Sequence, residues 1–438
     1  MAYPTDGLLV WEINDSANAN DTNGGAYYND GTAGAVDKSQ GAAIVRNDLV
    51  IGATTTQVTS AGTPFDASDV NNLINITGGA GFTTGRRRIV SVTAGVATLS
   101  SSAGTASSTG GTSRLGGPMR TPGLCAAAIT AISAQNGFVW ITGTHTVTVV
   151  TLNVANGRAL FPTGFTVRGY HATRGDNVLS ATMLPLIQRT YNDSPAVLSF
   201  ANNSNTMLIG VRLDGTSGEA FGNAVVGQCI GCWLTGTNQI SVSDTRFRQC
   251  VLVAGFLIYT SGNSLFDNCY LSSGYNFEVF GHYNNSICIT SNAFGNGSNL
   301  SENMFATNCV FIAPNTVYAI TNNKSVSFSR CLFYSTNAIG TVAGYSLNPV
   351  KAYMHQCAYN VAPTNVANIE GTLYSGDPFI NRAGGDFRLT SALYATLAAT
   401  TNVPGLTNST FPRTIGAVPA TPGASGMPMI GSRIGKAA

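Results

Sequence analysis

At 438 residues the chain can bury a large core or hold two to three domains, yet only 10% of its residues are charged, against roughly a quarter in an average globular protein. Fifty glycines and abundant Ser, Thr and Asn take the place of charge, so turns are frequent and the surface is polar but uncharged. A net charge of +2 gives no argument for nucleic acid or an anionic membrane as partner, and no apolar run reaches the roughly 18 residues of a membrane span.

The opening, MAYPTDGLLVWEINDS, has no basic leader, no long apolar stretch and no small-residue cleavage site, which predicts no signal peptide. Residues 1–37 read as an N-terminal strand and contact segment. Across 38–117 the texture is hairpin-like, around NITGGAGF and VSVTAGVATLS, with no longer period, which predicts a small antiparallel β domain. Within it GRRRI is the densest basic cluster. Strand alternation puts Arg86 and Arg88 on one side and Arg87 on the other, either as a solvated hairpin edge or as a docking patch for an acidic neighbour. RTPGLCAAAITAISAQNG predicts a helix with Thr121 as N-cap and Pro122 first. Leu124, Ala128, Ile129 and Ile132 line one face, and Gly137 stops it. Short strands follow in FVWITG, TVTVVTLNV and GFTVRGY, and the helix would cover the open edge of the first rung.

From there a frame recurs. SLFDNCYLSSG, TRFRQCVLVAG, MFATNCVFIAP, VSFSRCLFYST and AYMHQCAYNVA each place a cysteine one residue after a polar residue. With that position as zero, the column holds Cys232, Cys250, Cys269, Cys309, Cys331 and Cys357, with Val211 and Asn292 filling two further places. The spacings average about 21 residues. Apolar residues stand three before zero (Leu208, Cys229, Phe247, Phe266, Ile289, Phe328) and two after it (Leu213, Leu234, Leu252, Leu271, Phe294, Phe311, Phe333, Tyr359). Polar residues fill the place just before zero (Gln249, Asn268, Ser291, Asn308, Arg330, Gln356), as an outward or turn position should be. A fixed period of 20 to 30 residues signals a solenoid. Short alternation without helical periodicity leaves a parallel β-helix, with the cysteines as an inward packing column. A disulfide reading is weaker because stacked side chains point alike. A zinc reading has only the Cys229–Cys232 pair. The expected class is all-β: a parallel β-helix over 118–360 with its capping helix, and a cap and extended tail over 361–438.

TPGLCAAAITAISAQNGFVWITGTHTV resembles the opening segment of pectin-lyase-like right-handed β-helix proteins, and SGDPFINRAGGDFRLTSAL followed by RTIGAVP is similar to the closing segment of many of them. NDSANANDTNGGAYY and the 38–117 module look like proteins of tailed bacteriophages and environmental viral genomes. The resemblance implies a right-handed winding and a virion structural protein displayed on the particle surface, as a capsid decoration or a tail-associated spike. It would assemble in the host cytoplasm as a homo-oligomer, a trimer first, against other virion proteins. A host surface glycan is a further candidate partner.

Chemistry is sparse. The acids of the repeat region are Asp176, Asp193, Asp214, Glu219, Asp244, Asp267, Glu278 and Glu302. Of these, Asp214 and Glu219 could share a loop; the rest read as scattered surface or turn acids, against the convergent carboxylates a glycosidase or lyase needs. His145, His171, His282 and His355 are far apart. TRGDN (Arg174 to Asp176) contains an RGD tripeptide but reads as a turn, and GGAGF lacks the context of a phosphate loop. Tyr191, Tyr275, Tyr283 and Tyr345 are loop-like candidates for sugar stacking. No catalytic, cofactor-binding or metal-binding residue is assigned, and no cofactor is expected. The alternative is a tailspike depolymerase cleaving a bacterial surface polysaccharide; a secreted adhesin is disfavoured by the missing export signal.

Overall fold

The structure, a computed structural model, describes residues 8–132, 137–147, 159–161, 164–176, 183–189, 198–200, 203–215, 226–237, 239–243, 245–261, 264–278, 281–291, 293–294, 304–313, 316–319, 325–335, 338–341, 351–362, 368–381 and 386–389. The chain forms two compact units. The first is Met1–Asn177 with Pro185–Gln188 and Ser199–Met207; the second is Val178–Leu184, Arg189–Leu198 and Leu208–Ala438.

In the first unit, β1 (Leu8–Ile13) and β2 (Ala26–Asn29) pair antiparallel. The other edge of β1 runs parallel to β9 (Gly137–Ile141), which pairs parallel with the strand Phe165–Gly169. Trp11, Ile13, Val139, Ile141 and Val167 are buried on one face, and Val10, Phe138, Trp140 and Tyr170 cluster on the other. Both faces are therefore apolar, as parallel sheets require. With β2 on one side and β9 on the other, both edges of β1 have their backbone N–H and C=O groups satisfied by pairing.

Between β2 and β9 the chain closes an antiparallel barrel. β3 (Ile44–Ile51), β4 (Gln57–Thr59), β5 (Leu73–Gly78), β6 (Gly85–Thr93), β7 (Val96–Leu99) and β8 (Ser108–Leu115) follow the order β3-β4-β7-β6-β5-β8 and back to β3. Leu49, Ile51, Val58, Ile74, Ile76, Ile89 and Leu115 fill its interior. The β6–β7 hairpin turns on Ala94 and Gly95, both at positive φ (48° and 79°), the two-residue turn whose twist suits a hairpin. The helix α1 spans Pro122–Ala131, with Pro122 at its first turn. Thr121 makes no side-chain cap bond there; its hydroxyl and the N–H groups of Arg120 and Thr121 donate to Asp21 instead. The buried face carries Cys125, Ala126, Ala128 and Ile129, whereas Leu124 is half-buried. The buried face is thus rotated from the expected stripe toward Cys125 and Ala126.

The second unit is a stack of parallel coils. Three ladders run through it. The first joins Val226–Ile230, Arg246–Arg248, Leu265–Asp267, Gly281–Asn284, Met304–Thr307, Ser325–Ser329 and the start of Lys351–Tyr359. The second joins Arg212–Gly215, Trp233–Gly236, Val251–Ala254, Tyr270–Ser273, Ile287–Thr290, Val310–Ala313 and Leu332–Ser335. The third joins Gln239–Ser243, Leu257–Ser261, Asn276–Glu278, Ala293–Phe294, Thr316–Ala319 and Ala338–Thr341. Each of the six coils between Val226 and Thr341 thus gives one strand to each ladder, the arrangement of a parallel β-helix.

The register corrects one coil of the predicted frame. Leu271 pairs with Cys288, and Phe266 pairs with Tyr283. Ser286 therefore stands at zero where Asn292 was expected, Tyr283 replaces Ile289 three before it, Cys288 replaces Phe294 two after it, and Asn285 replaces Ser291 just before it. Phe294 belongs to the third ladder, opposite Phe277; Asn292 lies outside the described residues. Inward rings stack coil on coil, with Phe247 and Phe266 at 5.0 Å between centroids and Phe266 and Tyr283 at 4.8 Å. That spacing is the strand separation itself.

The second ladder is apolar on its outer face as well. Trp233, Val251, Tyr270, Ile287, Val310, Leu332 and Ala358 are buried there with Tyr374 and Phe379. Tyr374 donates its hydroxyl to the Phe333 carbonyl at 2.8 Å. The segment after the last coil thus lies against the stack it follows.

Candidate functional site

The cysteine column sits at a corner. The residue before zero is left-handed in every coil: Gly210, Gly231, Gln249, Asn268, Asn285, Asn308, Arg330 and Gln356 have φ between 50° and 60°. Such a residue bends the chain between the first and second ladders. The bend removes the zero residue's N–H from the ladder, and the next coil's side chain takes it. Cys269 donates its N–H to Ser286 Oγ at 3.1 Å, and Cys232 donates its N–H to Cys250 Sγ at 3.5 Å. Each thiol in turn donates to the carbonyl two residues back in its own coil, as Cys250 does to Arg248 and Cys309 to Thr307, at 3.3 and 3.2 Å. Cys232 and Cys250 also face the carbonyls of Leu208 and Cys229. A small side chain that both accepts and donates is what this corner needs, and buried backbone groups require such partners. All nine cysteines are free and buried. Burial pushes the thiols of Cys250 and Cys331 up, while hydrogen bonds from neighbouring thiols and backbone pull those of Cys232 and Cys357 down against burial; since every thiol of the column is buried, this is a structural ladder rather than a nucleophile.

Asp214 receives Arg212 at 3.2 Å, and Asp267 faces Arg248 at 3.6 Å. Glu219, Tyr191 and Tyr345 lie outside the described residues, so the expected Asp214–Glu219 loop is not described. Among the described residues no group of three His, Cys, Asp or Glu is placed to hold a metal ion. His145 is buried between the carbonyls of Arg120 and Thr142, at 2.9 and 2.8 Å; burial pulls its pKa below the ordinary value. His355 lies on the first ladder opposite Ser329. All three arginines of the basic cluster are engaged within the chain. Arg86 donates to the carbonyls of Asp21, Asn23 and Gly24, and Arg87 to those of Ser102 and Gly85. Arg88 pairs with Asp30 at 2.8 Å, bonds Asn71 and stacks over Tyr28. Neither Arg86 nor Arg88 is an open docking group, because each guanidinium is already held by the N-terminal segment.

The RGD tripeptide forms a turn in which Asp176 accepts the N–H groups of His171, Ala172 and Thr173. Its arginine points inward to a site the sequence did not disclose. Arg174 donates to Glu12 at 2.7 Å, to Asp37 at 2.5 Å and to Ser39 at 2.7 Å. The Tyr170 hydroxyl donates to the other Glu12 oxygen, and Gln40 reaches Tyr170 at 3.5 Å. Glu12 is fully buried. Burial pushes its pKa up to about 7, against the opposing pull of Arg174 and the Tyr170 hydrogen bond. With no exposed carboxylate oxygen, Glu12 cannot meet a substrate. The signal that could have found it is the single acid in LLVWEI, at a position where the neighbouring residues predict a buried strand.

Exposed chemistry lies on the outer face of the first ladder, where Leu265, His282, Phe305, Ser327 and Tyr353 succeed one another in register. His282 stacks on Phe305 at 5.0 Å, and Phe305 is 40% exposed. At a neighbouring corner, Phe256 and Tyr275 stack at 4.9 Å and are both exposed. Tyr283, in contrast, is buried inside the stack. Of the loop-like tyrosines, Tyr275 alone among the described residues is a surface ring.

No family model matches the chain, and no curated protein matches it. Among solved structures, the crystal structure of the tailspike protein gp49 from Pseudomonas phage LKA1 is similar at 13% identity and a TM-score of 0.27. The alignment covers 78% of this chain and 65% of that one, so the chain spans about two thirds of that protein's length. An overlap at that TM-score carries no argument, and the fold rests on the strand register described above.

Proposed function

We propose that the protein is a structural component of a tailed-bacteriophage virion, displayed on the particle surface as a tail-associated spike, with capsid decoration as the variant of the same reading. The observation that supports it most is the stack itself: coils in continuous register, ring on ring and thiol on thiol, with Asp214 and Asp267 each facing an arginine. A stack of coils with few charged residues suits display and side-by-side burial, and the winding is read as right-handed and pectin-lyase-like. The reading includes a homotrimer, contacts with other virion proteins through the non-repeating ends, and contact with a host surface glycan along the exposed rings.

Electron microscopy of the particle, with the protein labelled by antibody, is the direct test: label on the tail supports the spike, label on the head supports decoration, and no label refutes both. Incubation of the purified protein with host capsular polysaccharide and lipopolysaccharide tests the depolymerase alternative. Sustained release of reducing ends that is lost in Asp214→Asn would replace the structural reading with an enzymatic one.

A further inference from the structure

The buried cluster at Glu12 has an unbalanced charge. One guanidinium, Arg174, serves two carboxylates, Glu12 and Asp37. One positive charge can neutralise only one of them, and Glu12 has no exposed surface on which water could help. The cluster also joins three separate pieces of the first unit: β1 through Glu12, the segment at residues 37–40, and the turn after the strand Phe165–Gly169 through Tyr170 and Arg174. We propose that Glu12 is the proton-operated pin of a latch that fastens β1 to these two segments: neutral overall and closed when Glu12 carries a proton, carrying an uncompensated buried charge and loosened when it does not.

The surroundings are consistent with that role. Trp140 of β9 lies opposite Glu12 and is not titratable. Arg168 lies over the Trp140 ring at 5.1 Å. Tyr27 of β2, opposite Val10, is held protonated by burial and by Asp37. Cys125 of α1 is kept a thiol by burial. Tyr170 is a donor to Glu12 and is pushed well up by burial. Near neutrality Glu12 is therefore the group of this cluster that changes charge.

The sign follows from linkage. A folded-state pKa of about 7, above the ordinary 4.5, means the folded protein binds this proton more tightly than the unfolded chain. The stabilisation is fully present below 4.5 and is lost as pH rises to 7, with the folding equilibrium shifting about tenfold per pH unit across that window. The experiment is thermal unfolding of the full chain between pH 5 and pH 8, followed by tryptophan fluorescence, which reads Trp11 and Trp140 beside the latch. Parent, Glu12→Gln and Tyr170→Phe are compared. Glu12→Gln, a permanent neutral mimic, should gain on the parent as pH rises, by a factor of ten or more in the folding equilibrium between pH 5 and pH 8. Tyr170→Phe removes a donor that favours the ionised form, so its loss of stability should continue to higher pH than the parent's. Should Glu12→Gln fail to fold, the Tyr170→Phe curve decides alone. Curves parallel to the parent's in the variants that fold would overturn the latch.

Discussion

From Cys232 onward, position zero of each described coil asks for a side chain that accepts one hydrogen bond and donates another, and Ser286 meets that demand beside its cysteine neighbours. Replacing Ser286 by Ala leaves the Cys269 N–H buried without its partner and should cost about 1–3 kcal/mol in chemical denaturation. Ser286→Cys restores the column and should cost less than about 1 kcal/mol. The corner residues supply a second prediction. Gln249 is left-handed at φ 54°, so Gln249→Val should destabilise by about 1–2 kcal/mol through a β-branched side chain in that region, while Gln249→Gly should be close to neutral. The cysteine column was legible in the sequence because apolar residues bracket it at fixed offsets. Ser286 was not, because a hydroxyl breaks a pattern defined by sulfur. Its position was also degenerate: zero at Ser286 or at Asn292 divides the same stretch from Cys269 to Cys309 into the same two spacings in opposite order. Only backbone pairing separates the two.

Among the elements, the antiparallel strands of residues 38–117 and the start of α1 follow from hairpin texture and an N-terminal proline, whereas the use of their arginines does not. GRRRI reads as a charged edge until Asp21, Asn23 and Gly24 are seen to fold their carbonyls onto Arg86. Alternation tells which side of a strand a residue occupies, not which distant loop waits there. Arg86→Ala should therefore lower stability by about 2–4 kcal/mol, with faster amide exchange at residues 20–25. Arg86→Lys should rescue little of it, because an ammonium cannot span three carbonyls as the planar fork does. The Glu12 latch escaped the sequence for a related reason: its members are spread between residues 12 and 174, and TRGDN carries a strong turn signal that hides an inward arginine.

On the scale of the whole chain, nine cysteines without a disulfide give a direct measurement. Thiol titration without reductant should find almost no fast-reacting groups in the native protein and nine after denaturation, since all nine are buried and free. A total near one after denaturation would mean paired cysteines and would overturn the ladder.

The stacked register also divides every coil into a fixed and an adjustable part. The span from Phe247 to Leu252 is matched residue for residue in the coils above and below, yet the return from Ala254 to Leu265 differs in length from the return between Ser335 and Tyr353. One residue inserted into the first span would turn the following strand inside out. The return segments already absorb changes of several residues without disturbing the register. The third-ladder strands sit at a constant distance after the second ladder, so the change in length falls after them: a foreign epitope placed between Thr341 and Lys351 should be carried without loss of melting temperature, and variation in what the protein recognises can accumulate there while the paired strands of each coil stay as they are.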